Sequence, residues 1–158
     1  MKFKVNISRK CFLQRVLPGG TYFIQTAGGA FLAFDEQSRV FSLNNQSGDK
    51  FNVIYDEDTL ILRCRGLYLG QGTFDHSSNA IGERYATRVI EELKSKFFVA
   101  DFQQTAVGSV EATLFDKSEL LSKNHLCLIG GYLKFGSSAT KLHFRRSMWA
   151  NNLLHSSK

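Results

Sequence analysis

Gly29-Ala30-Phe31-Leu32, Gly66-Leu67-Tyr68-Leu69 and the weaker Ser118-Glu119-Leu120-Leu121 are the stretches whose reading decides the fold. Each follows an alternating apolar stretch and precedes another. The pattern reads as three copies of one hairpin-based unit, with nothing catalytic attached to it. A glycine at the head of the motif permits the tight backbone that turns an aromatic inward.

Strands follow outward from these motifs. Tyr22 to Thr26 reads as a strand with its turn at Ala27-Gly28-Gly29. Ala30 to Phe34 and Arg39 to Leu43 come next, and Phe51, Val53 and Tyr55 mark a fourth strand. Strict alternation of apolar and polar side chains is the signature of a half-buried strand. The cycle restarts after Asp56-Glu57-Asp58, where Leu60, Leu62 and Cys64 alternate with Ile61, Arg63 and Arg65. Lys50-Phe51-Asn52-Val53 and Lys96-Phe97-Phe98-Val99 are alike, and so is Lys2-Phe3-Lys4-Val5. A third unit runs from Val110 to Arg145, and Gly130 to Phe135 offers a second register for its motif.

Two segments depart from this rhythm. Lys2 to Ser8 alternates as a strand, and Ser8 is placed to cap a short helix reaching Val16. That opening is similar to the first residues of a bacterial sliding clamp, and the similarity stops there. Between 82 and 95, Tyr85, Val89, Leu93 and Phe97 recur at intervals of four, which predicts an inserted helix. Thr87-Arg88-Val89-Ile90 also reads as a strand, with the helix favoured.

Composition sets outer bounds. The chain has 158 residues, 43% of them hydrophobic and 22% charged, an ordinary globular balance. Its 14 Phe and 5 Tyr suit pleated, half-buried surfaces. No apolar run approaches the roughly 20 residues of a membrane span. The start lacks a continuous apolar signal segment. Cys11, Cys64 and Cys127 are an odd number at wide spacings, so reduced thiols in a cytoplasmic setting are expected. A net charge of +6 favours acidic partners without naming one.

One four-stranded unit cannot bury its apolar face alone, whereas three sharing an interior can. The expected fold is therefore all-β, a β-trefoil-like closed barrel. Its three pseudo-repeats cover 21–58, 59–104 and 105–147 of one domain, with a polar tail at 148–158. The stretch from Tyr22 to Gly70 resembles fascin and hisactophilin type β-trefoils through Phe31-Leu32, Val40, Phe51-Val53, Leu60-Leu62, Gly66 and Tyr68-Leu69. That resemblance implies actin-filament binding. Only His76, His125, His143 and His155 occur, so hisactophilin's histidine-driven switch is not implied. Phe97 to Leu121 is also a little similar to interleukin-1 type cytokines, which gives a secreted ligand as an alternative. The Gln-x-Trp signature of ricin-type sugar binders is absent.

Candidate chemistry is sparse. Asp75-His76-Ser77-Ser78 gathers acid, imidazole and hydroxyl, but adjacency in sequence does not make them converge. His125 and Cys127 supply two ligands where a structural zinc site needs four. Asp56-Glu57-Asp58 lacks the ligand spacing of a calcium loop and reads as an acidic turn. The glycine pairs match no phosphate loop. No catalytic residue, metal or cofactor is expected. Binding is assigned to the basic residues Lys2, Lys4, Arg63, Arg65, Arg145 and Arg146. Arg63 and Arg65 are read as sharing the outer face of one strand. The expected function is a non-catalytic module gripping an acidic macromolecule, with actin first and nucleic acid second.

Overall fold

A computed structural model describes residues 12–72, 84–118 and 124–147. The protein is all-β. Its strands are β1 (Gly20–Gln25), β2 (Phe31–Asp35), β3 (Val40–Asn44), β4 (Lys50–Asp56), β5 (Thr59–Cys64), β6 (Leu67–Gln71), β7 (Arg84–Val89), β8 (Phe97–Ala106), β9 (Ser109–Asp116), β10 (His125–Ile129), β11 (Tyr132–Gly136) and β12 (Leu142–Arg146). Residues 12–16 form a helical turn, closed by the Leu17 N–H on the Leu13 carbonyl at 2.8 Å. The strand expected at the N-terminus, the third motif beyond Ser118, the Asp75 to Ser78 cluster and the tail lie outside the described residues.

Six strands close on themselves. β1 pairs with β4, β4 with β5, β5 with β8, β8 with β9, β9 with β12, and β12 returns to β1, all antiparallel. The other six form hairpins β2–β3, β6–β7 and β10–β11. These hairpins meet one another, with Tyr132 opposite Ser42 and Lys134 opposite Tyr85. The arrangement is consistent with the β-trefoil-like architecture expected from the sequence. Closure leaves no unpaired edge among the six ring strands.

Three backbone hydrogen bonds reveal the internal symmetry. The N–H groups of Asp49, Ser95 and Thr140 donate to the carbonyls of Leu32, Leu69 and Leu126, each at 3.1 Å. All three leucines are buried. A lysine and a large apolar residue follow each donor: Lys50-Phe51, Lys96-Phe97 and Lys141-Leu142. The third equivalent of Phe31-Leu32 and Tyr68-Leu69 is thus His125-Leu126. Gly130 to Phe135, the second register read for the motif, is instead the β10–β11 hairpin, turning on Gly130 and Gly131 at φ 64° and 85°. Chemistry had disguised the copy: histidine replaces the aromatic, and no glycine precedes it.

The predicted helix at 82–95 is corrected to strand β7 followed by a short 3₁₀ turn, Glu91–Leu93. Positions four apart share a face in a strand as well as in a helix, so the stripe of Tyr85 and Val89 does not separate the two. The branched Thr87 and Val89 favour the extended form. Pairing settles it, with Val89 opposite Tyr68 and Thr87 opposite Gly70.

Aromatics fill the interior. Phe51, Phe97, Phe135 and Phe144 are fully buried. Phe97 stacks on Phe135 with ring centroids 6.2 Å apart and planes 5° apart. Tyr22 and Tyr55 donate their hydroxyls to the carbonyls of Pro18 and Leu17, at 2.7 and 2.6 Å, so buried phenols tie the entering chain to the core. Phe97→Ala is expected to lower unfolding free energy by about 3–5 kcal/mol in urea titrations. Val107→Ala, at a turn residue 98% exposed, is expected to leave the midpoint in place.

Candidate functional site: a basic depression on the outer sheet face

Outward side chains on β12, β1, β4 and β5 line up in rows because directly opposed residues share a face. One row holds Arg145, Phe23 and Lys50. The next holds Thr21, Asn52, Arg63 and Tyr68. Strands spaced about 4.8 Å apart put the Arg145 and Lys50 backbones about 10 Å from each other. Between β1, β4 and β5 this face sinks into an open depression of about 680 Å³, lined by Thr21, Lys50, Asn52, Arg63 and the Asp49–Arg65 pair.

Arg65 is built into the wall. β5 ends at Cys64, so Arg65 does not share a strand face with Arg63 as expected; it sits in the two-residue β5–β6 turn at φ 53°, with Gly66 at φ 82°. Such turns need positive φ at both positions, which an arginine adopts only at a cost. Local bonds stabilise it there. Arg65 Nε donates to Asp49 Oδ1 at 2.8 Å and Nη1 to Glu36 Oε2 at 2.7 Å. Arg88 donates to the Cys64 and Arg65 carbonyls at 3.0 and 2.6 Å. The Asp49 carboxylate also accepts the Phe34 N–H at 2.7 Å, so both its oxygens are engaged. The bond it donates to Asp49 holds the Arg65 guanidinium above its ordinary range.

Arg63 has no carboxylate partner among the described residues. Its guanidinium lies 5.7 Å from the centre of the Tyr68 ring, and Lys94 Nζ lies 5.7 Å from the same ring. Arg145 stands one strand beyond Phe23 from Lys50 and donates to Gln25 Oε1 at 3.0 Å. Arg146 does not belong with it. Arg146 is exposed at the end of β12, opposite Tyr22, with its guanidinium 5.8 Å from that ring, and it is not in the lining of the depression. Burial raises the Tyr22 phenol, and Arg146 partly offsets the effect. Lys2 and Lys4 lie outside the described residues.

The sequence reading missed Thr21, Lys50 and Asn52. A signal for two of them was present. Glu57 and Asp58 make a two-residue turn between Asp56 and Thr59, and counting back from it sets Asn52 opposite Arg63. The Lys-Phe-x-Val repeat puts Lys50 outside once Phe51 is inside. Nothing local announced that β1 lies alongside, because β1 and β4 are joined through a hairpin.

The remaining candidates are structural. His143 Nε2 sits 3.9 Å from Glu111, and the His125 ring packs on Phe115 at 5.6 Å. Among the described residues no three histidine, cysteine or acidic side chains gather as a metal site. Asp56 pairs with Lys96 at 3.0 Å, whose hydrogen bond and charge hold its carboxyl below the ordinary range. No helix among the described residues is long and apolar enough to cross a membrane.

No family model matches the chain, and no curated protein matches it. A solved proteinase inhibitor from Coprinopsis cinerea is similar at 17% identity and a TM-score of 0.49, over 82% of this chain and 98% of that one. A likeness at that level transfers neither partner nor activity.

Burial pushes the Cys64 thiol up to about 12. At pH 8 only about one thiol in ten thousand would then be thiolate, the reactive form. Iodoacetamide is expected to spare Cys64 in the native protein and to label it in urea, as read by peptide mass. Native labelling at the rate of a free cysteine would contradict this.

Proposed function

We propose that the protein is a non-catalytic binding module of the fascin and hisactophilin type, a closed β-trefoil working in the cytoplasm. Its outer face grips an acidic macromolecule. One observation carries the reading: Arg145, Lys50 and Arg63, far apart in sequence, project from neighbouring strands onto one surface. Aligned cations attract and orient a polyanionic partner. Filamentous actin is the first partner, by the likeness of residues 22–70. Nucleic acid is the second, and it gains from Phe23 and Tyr68, aromatics that stand among the cations on the outer face rather than in the core. Such interleaving suits single strands, whose bases stack while phosphates meet the cations.

Cosedimentation with filamentous actin at physiological salt is expected to show saturable pelleting that Arg63→Glu with Arg145→Glu abolishes. For an oligothymidylate, three phosphate contacts would give a slope of about −2 in log affinity against log salt. Absence of both the pelleting and the salt-dependent binding would remove the proposal.

A further inference from the structure

The depression itself has a chemical preference. Its lining carries Lys50, Arg63 and Arg65 as cations against a single carboxylate, Asp49. Thr21 Oγ1 accepts Asn52 Nδ2 at 3.1 Å, which leaves the threonine hydroxyl hydrogen and the second amide hydrogen of Asn52 to donate elsewhere. Asp49 is the one carboxylate in the lining, and Phe34 and Arg65 occupy its two oxygens. Arg65 spends two of its five N–H groups on carboxylates and keeps three. Gly66 exposes bare backbone at the rim, with nothing within 4 Å of where a Cβ would stand.

We infer that this depression is a subsite for one tetrahedral anion, the phosphate or sulfate ester of a sugar-sized ligand. Donors that converge from β1, β4, β5 and the β5–β6 turn suit three acceptor oxygens better than the two of a carboxylate. An open depression of about 680 Å³ has room for a sugar-sized group attached to the anion. The inference rests on reading this face as the binding face, and it adds which group is recognised there.

The test is an amide NMR titration in 150 mM salt with 5′-AMP and with glucosamine 6-sulfate, set against adenosine and glucuronate. The esters are expected to shift Gly48, Asn52 and Gly66 saturably, and the controls are not. Binding of 5′-AMP alone assigns phosphate, and binding of the sulfate alone assigns a sulfated sugar. Arg63→Gln should weaken the ester at least tenfold, while Arg146→Gln, outside the lining of the depression, should not. Should Arg63→Gln disturb the fold, Thr21→Val serves in its place, with a loss of severalfold expected. Equal shifts with glucuronate, or shifts scattered over other basic positions, overturn the subsite. Oligothymidylate or actin binding without ester binding would sink the subsite alone. Ester binding without either macromolecule would sink the proposed function alone.

Discussion

Three equal hydrogen bonds hold this architecture in register. Each ties the strand-entering residue Asp49, Ser95 or Thr140 back to a buried leucine carbonyl. A buried carbonyl without a partner is costly, so these bonds constrain where each loop must return. The side chains of the donors diverge by use. Asp49 accepts the Phe34 N–H, Thr140 Oγ1 accepts the Leu128 N–H at 3.0 Å, and Ser95 Oγ donates to the buried Asp116 at 2.7 Å. One backbone geometry is thus served by a carboxylate, a hydroxyl acceptor and a hydroxyl donor. That freedom explains why the repeat is faint in sequence and regular in space.

Ring closure then divides the side chains into two populations. Residues that point inward are large and apolar, and they fill the space between the six strands. Those that point outward need only remain solvated, so they carry the variation. Recognition is left to the outside because the interior is occupied by packed phenylalanine. This division is why the outer rows on β12, β1, β4 and β5 are the surface on which we place the proposed binding.

Charge on that surface is not all of one kind. Arg65 is bound to Glu36 and Asp49 and secures a strained turn. Lys96 serves Asp56, and Lys141 serves Glu111 at 3.3 Å. Arg63 rests on an aromatic ring and faces solvent. A net charge of +6 therefore overstates what is available for binding, because several of its cations are internal fittings. Exposed pairs of this sort contribute little to stability, about 0–1 kcal/mol each, so their role is geometric.

Alternation alone determined that this chain makes β-strands, where most of them run, and many of the residues that enter the core. Period-two burial is a local property, and Phe51-Val53 displays it without reference to anything distant, whereas in β5 Ile61 is buried along with Leu60 and Leu62. The segment at 84–89 escaped because a spacing of four is common to helix and strand, and only its pairing with β6 decides between them. The third motif escaped because a backbone hydrogen bond, indifferent to side-chain identity, is what marks it. Arg63 was legible as outward, and the two-residue β4–β5 turn set Asn52 opposite it, but its neighbour on β1 was not legible. That Thr21 stands beside it, that Arg146 lies against Tyr22 and that Arg65 is held by two carboxylates are consequences of which strands lie side by side. Pairing between distant strands is set by closure of the whole ring, and tertiary structure alone decides it.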